Sequence, residues 1–186
     1  MKVFVDGPEK FKNSSEVLNA VEKVLETKLQ EYMVSGEEIL VGGKQGIDER
    51  VRNFLYLDHH YDKVLVCVHE GEVYRNEGDW PTYLISRFSF AKEEFMEFVD
   101  RAFIVWDQIS MDAYVTLLGF VVWDKPVDVL LSTDMDIHTI TTVEDVRKLL
   151  PPVSEDWIPL HKKLPKHMWR KIVRDFIPSE VYDAFL

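Results

Sequence analysis

The residues best equipped for chemistry stand where apolar runs stop. In ILVGGKQGIDERVRNFL, Ile39 to Leu55, an apolar run ends at Gly42 and Gly43. Lys44, Gly46 and Asp48 follow at the start of a helical pattern. Glycine admits a ligand close to the backbone because no Cβ stands in the way. The N-terminus of the following helix offers free N–H groups and a partial positive charge, which suits an anion. Lys44 adds a full charge. The stretch is neither GxxxxGK[ST] nor GxGxxG. The same residues also suit a tight strand-to-helix turn in which Asp48 complements the helix dipole, so both readings stand.

Other chain positions offer similar choices. Asp107 follows Trp106 at the end of another apolar run. A carboxylate there can accept hydrogen bonds from a ribose or serve as acid or base. It can equally cap the helix that begins in QISMDAY, a role for which Ser110 competes. Arg75 and Asn76 can clamp a phosphate or sit solvated in their loop, and Trp80 can stack on a base or pin that loop to the body. Gly7 follows Asp6 in a further strand-to-turn boundary. His59 and His60 are adjacent and diverge, and His161 and His167 lie in a basic segment. With no HExxH and no paired cysteines, neither a metal nor a cofactor is expected. A Ser-His-Asp triad has no GxSxG to support it. Cys67 lies in an apolar run and reads as a core thiol, and as the single cysteine it cannot form an internal disulfide.

The elements that must position these residues follow from periodicity. KVFVD, EILVGG, DKVLVCV, RAFIVWD and KPVDVLLS are short apolar runs rich in β-branched residues, and each reads as a strand. Helical spacing separates them: a helix capped by Ser14 or Ser15 with Val17, Val21, Val24, Leu25 and Tyr32 on one face, then GIDERVRNFLYL, FAKEEFMEFVD and SMDAYVTLLGFVVW. A last helix, TVEDVRKLL, is capped by Thr141 or Thr142. The stretch HEGEVYRNEGDWPTYLISRFS is polar and Gly/Pro-bearing, and reads as one long loop. Continuous apolar strands with helical crossovers imply an α/β fold: a Rossmann-like, doubly wound, mainly parallel five-stranded sheet over residues 1–150. In such a sheet ligands bind beyond the carboxyl ends of the strands. Prolines then punctuate residues 151–186, which read as an appended helical tail.

The chain has 186 residues and a net charge of −11, which argues against binding along a nucleic-acid backbone. No apolar run is long enough for a membrane span, the start lacks a signal-peptide core, and the cytoplasm is the expected compartment. Residues 161–174 depart from the acidic rule, with six Lys/Arg and no acid. This part of the tail can dock an acidic protein or the acidic body of a second copy in a homo-oligomer. It can equally pack Trp157, Trp169, Phe176 and Phe185 on its own domain.

Taken in order, KVFVDGPEKF, ILVGGKQGIDERVRNFL, YDKVLVCV, YRNEGDWP, AKEEFMEFVDRAFIVWDQIS and KPVDVLL resemble the SMF/DprA–LOG (SLOG) superfamily of Rossmann-like domains, over about residues 2–150. GGKQGIDERV resembles that superfamily's glycine-rich element. RNEGDWP and FVDRAFIVWDQIS resemble stretches of a bacterial and phage branch. The resemblance implies a nucleotide or nucleotide-derived small molecule as ligand. It places Gly7, Gly42, Gly43, Lys44, Gly46, Asp48, Arg75, Asn76, Trp80, Asp107 and Ser110 around that ligand. Enzymatic relatives, which include phosphoribohydrolases and N-glycosidases, carry Gly-Thr and then a catalytic Glu after this strand. Here Asp112-Ala113 and about Thr116 occupy those positions, and no Glu follows in that helix. Binding without turnover is therefore the first expectation. An N-glycosidase acting through Asp107, Asp112 or Glu93 is the alternative, since glycosidic cleavage needs a carboxylate at the anomeric carbon. A degenerate fold kept for protein–protein contact, of phage origin, is the second alternative.

Overall fold

The computed structural model describes residues 1–69, 73–85, 93–108, 110–142 and 145. The 151–186 tail and most of the helix expected after Thr142 lie outside the described residues. The start of that helix is visible: Thr142 and Asp145 exchange the reciprocal bonds of a capping box, at 3.0 and 3.2 Å.

Strands β1 (Lys2–Asp6), β2 (Glu38–Gly42), β3 (Val64–His69), β4 (Thr82–Ile85), β5 (Arg101–Trp106), β6 (Val127–Leu131) and β7 (Ile137–Ile140) form one sheet in the order β4-β3-β2-β1-β5-β6-β7. All neighbours are parallel except β6 and β7. The helices are α1 (Ser15–Val34), α2 (Ile47–Asn53), α3 (Glu93–Phe98) and α4 (Met111–Val122). A π-helical turn, Phe54–Asp58, continues α2. Ser14 caps α1, its Oγ accepting from the Val17 N–H.

The expected α/β class and mostly parallel sheet are present, but the sheet has seven strands rather than five. The two additions are edge strands of four residues, each with only its last residue buried. β4 lies inside the stretch read as a single long loop. β7 returns antiparallel through a tight turn in which Met135 takes a positive φ of 61°.

Alternation along the strands divides the core between two faces. Phe4, Leu40, Cys67, Ile104 and Val129 point to one face, against Phe95 and Met96 of α3 and Leu117 and Phe120 of α4. Val3, Val5, Val41, Val66 and Val105 point to the other, against Val21, Leu25 and Leu29 of α1 and Ile47, Val51 and Leu55 of the α2 segment. A period of two delivers both sets because every central strand is buried on both sides. Helices thus cover both faces, and the chain reverses its winding between β1 and β5. No helix among the described residues is long and apolar enough to cross a membrane.

Candidate functional site

The strand order reverses between β1 and β5, and in an open α/β sheet the crevice beyond the strand ends at such a point is the general place for ligands. Asp6 ends β1 there and is 7% exposed. From the β2–α2 turn come Lys44 and Asp48, and from α4 come Asp112 and Thr116. Lys44, Asp112 and Thr116 act on Asp6, and Lys44 and Asp6 act on Asp48, electrostatically or by hydrogen bonding. Burial pushes the Asp6 carboxyl from the ordinary 3.8 up to about 6; the Thr116 hydroxyl opposes this, the Asp112 charge adds to it, and Lys44 holds it back. Asp48, only 3% exposed, is raised well above its usual range by burial first and then by the charge of Asp6, against the pull of Arg52 and Lys44. Its Oδ1 has no hydrogen-bond partner among the described residues. The result is two buried carboxyls that favour sharing protons over ionising together.

The glycine turn approaches the protein itself. A Cβ on Gly42 would lie 2.0 Å from Asp48 Oδ2, one on Gly43 2.6 Å from Tyr74 Cβ, and one on Gly46 2.3 Å from the Glu9 carbonyl oxygen. Gly46 also has a φ of 79°, a conformation that glycine alone takes without strain. Gly7 lets the β1–α1 loop lie on Ile47, 2.7 Å from where its Cβ would be. The Gly43 N–H donates to the Cys67 carbonyl at 3.1 Å and the Ile47 N–H to the Pro8 carbonyl at 3.3 Å. The backbone N–H of Lys44 serves Asp48. The group held by this turn is therefore the carboxyl of Asp48.

Arg52 fixes the turn from behind. Its side chain is fully buried, Nη1 donates to the carbonyls of Gly42 and Lys44 at 2.6 and 2.9 Å, and Nε donates to Glu77 at 2.7 Å. Nη2 has no partner among the described residues. Sequence reasoning missed this residue, although its i,i+4 spacing from Asp48 was a signal. It also passed over Asp6, whose type and place at a strand end resemble those of an ordinary cap.

The remaining expected residues divide by location. Asp107, 1% exposed, accepts from the Ser110 N–H at 2.6 Å, the Ser110 hydroxyl at 2.7 Å and the Lys12 N–H at 3.1 Å. It thus holds the start of α4 and braces the β1–α1 loop beside the crevice. Asp112 is exposed and accepts from the Glu9 N–H at 3.3 Å. Glu93 opens α3, and its side chain lies outside the described atoms. The Arg75 N–H donates to Gly43 O at 3.3 Å and its guanidinium to Glu49 at 3.1 Å, so it ties its loop to the turn. Asn76 closes that loop on Trp80 with two bonds, at 2.6 and 3.0 Å. The Trp80 indole N–H donates to the Tyr61 carbonyl at 2.9 Å and its ring meets Tyr56 edge-on. Those contacts lie past the far end of α2 from the crevice.

Cys67 is buried, and burial pushes its thiol well above the usual range. Among the described residues no cluster of His, Cys, Asp or Glu is arranged to hold a metal ion. No family model and no curated protein matches the chain.

Proposed function

We propose that the crevice between β1 and β5 binds a nucleotide or nucleotide-derived small molecule without turning it over. The observation that carries this reading is the coincidence of the sheet's topological switch with a group of buried carboxyls, one of whose oxygens, Asp48 Oδ1, lacks a hydrogen-bond partner among the described residues. Asp6 and Asp48 meet Lys44, Thr116 and Asp112 at that one place. Buried polar groups are normally satisfied, and exceptions call for an explanation such as a ligand. Asp107 with Ser110 sets the α4 side of the site. The resemblance of the motif order to SLOG domains supports a nucleotide-type ligand. Native mass spectrometry of the purified full chain tests the reading: a bound species of nucleotide mass supports it. A bare chain that also fails to bind any member of a nucleoside and nucleotide panel contradicts it.

One observation favours a second reading, an N-glycosidase. A carboxyl raised to about 6 beside a second buried carboxyl is suited to donating or taking a proton near neutral pH. Release of free base from a nucleoside monophosphate, abolished in Asp6→Asn, supports catalysis. Absence of release across the panel leaves binding alone.

A further inference from the structure

A groove lies between α1 and the α2 segment, on the face of the sheet that these helices cover. It holds a cavity of about 210 Å³, room for one large side chain. The floor is apolar: Leu25 and Leu29 of α1 and Phe54 of the π-helical turn, all buried. The rim is acidic, with Glu22 and Glu26 from α1 and Asp58 from the π-helical turn. Spacing of four residues keeps Glu22 with Glu26, and Leu25 with Leu29, on one side of α1. Arg50 also lines the groove, but Glu22 holds it in an ion pair. Glu26 and Asp58 are exposed and form no ion pair among the described residues. Two uncompensated carboxylates over an apolar hollow suit a large apolar side chain flanked by cations. The side chain leaves water, and the cations meet the carboxylates at the rim.

We propose that this groove docks residues 161–174 of the same chain, with Trp169 in the cavity. That segment carries six Lys/Arg and no acid, in a chain whose net charge is −11. Trp169 stands between Lys166 on one side and Arg170 and Lys171 on the other. Trp157 instead follows Glu155 and Asp156, whose charges the rim repels. A tryptophan that fills a pocket is the kind of residue that carries most of an interface's energy. The segment also has the reach. β7 ends at Ile140 on the sheet edge, and α2 lies against β1 and β2. From β7 to β2 is about 20 Å at ~4.8 Å per strand, and the helix layer adds about 10 Å. About 24 residues separate Asp145 from Trp169, and they span about 36 Å even at the 1.5 Å rise of a helix. A tethered segment meets the groove at a far higher effective concentration than a second copy does, so docking within one chain prevails. No residue lining the groove belongs to the crevice beyond β1 and β5.

Disulfide trapping in the full chain tests this. Asn53→Cys sets a thiol at the cavity wall, and His167→Cys sets one two residues from Trp169. Cys67 is buried and does not compete. Under mild oxidation the pair should close within one chain about tenfold faster than Glu94→Cys with His167→Cys. Glu94 is exposed on α3, across the sheet from the groove. Adding Glu26→Lys and Asp58→Lys should bring the two rates level. On the native chain, residues 161–174 should resist trypsin at low salt. About 1 M salt, which screens the rim, should speed their cleavage about tenfold relative to a synthetic peptide of the same sequence. That measurement needs no variant and decides alone if the cysteine variants do not fold. Equal closure rates for the two pairs overturn the proposal, as does cleavage indifferent to salt. Disulfides formed only between chains overturn docking within one chain in favour of a second copy.

Discussion

Replacing Asp6 by Asn should make the protein more stable at neutral pH and bring little of that gain in acid. The carboxyl titrates at about 6 in the folded chain against an ordinary value of 3.8. Each pH unit of displacement corresponds to about 1.4 kcal/mol, so ionising the buried group costs ~3 kcal/mol. The sign follows from where the proton is held more tightly. Below about pH 4 folded and unfolded chains both carry it, and there is no penalty. Between 3.8 and about 6 the folded chain keeps a proton the unfolded chain has lost, so stability falls as pH rises. Above that window the penalty is complete. Relief of the like charge on Asp48 acts in the same direction. Glu77, Asp134 and Asp145, whose carboxyls are held below their usual range, oppose the trend but are common to both proteins and cancel in the difference. Urea unfolding of the native chain and Asp6→Asn across this range gives the answer. The variant's advantage should grow by up to ~3 kcal/mol from about pH 4 to about pH 7 at constant m-value. Any offset from the lost Thr116 contact is independent of pH. An advantage that stays flat, or shrinks as pH rises, refutes the buried-dyad argument.

Three further outcomes follow from the same geometry. Gly42→Ala places a methyl 2.0 Å from Asp48 Oδ2; it should cost about 1–3 kcal/mol by overpacking, and combination with Asp48→Ala should cost less than the sum of the two single changes. Arg52→Met strips two backbone carbonyls and Glu77 of their buried donor; denaturant unfolding should show a loss of about 3 kcal/mol, and Arg52→Lys should recover little because an ammonium cannot span the same fork of acceptors. Cys67, buried at 2% exposure, should ignore thiol reagents in the folded chain and react fully in urea; rapid modification without denaturant would contradict its placement in the sheet.

The central strands were legible because both their faces are buried, which leaves continuous apolar runs such as VFV, ILV and FIV that few other structures produce. β4 and β7 were not legible. Each is a short edge strand, and Thr82–Ile85 and Ile137–Ile140 mix polar with apolar residues that suit a loop equally well. The site divides in the same way. Asp48 and the glycines stood out by type and spacing. Their close approach turned out to be to Asp48, Tyr74 and the Pro8–Glu9 backbone, contacts that local sequence cannot indicate. For Asp107 two roles competed on paper; Ser110 takes the N-cap position of α4, and Asp107 holds the Ser110 N–H and hydroxyl and braces Lys12 across 95 residues of chain. Asp6 acquires its character from burial first and then from Thr116 and Asp112, which lie far along the chain and reach it only through the crossovers. Trp80 could have stacked or pinned, and its bond to the Tyr61 carbonyl shows it pinning.

The most direct test of a ligand site at the topological switch is amide chemical-shift mapping. The isotopically labelled full chain is titrated with the tightest-binding member of the nucleoside and nucleotide panel. Saturable shifts concentrated at Gly7, Gly42, Lys44, Asp48 and the first turn of α4, with Trp80 and the exposed edges of β4 and β7 unmoved, are the predicted result. Shifts that centre on another surface, or that never saturate, would contradict it.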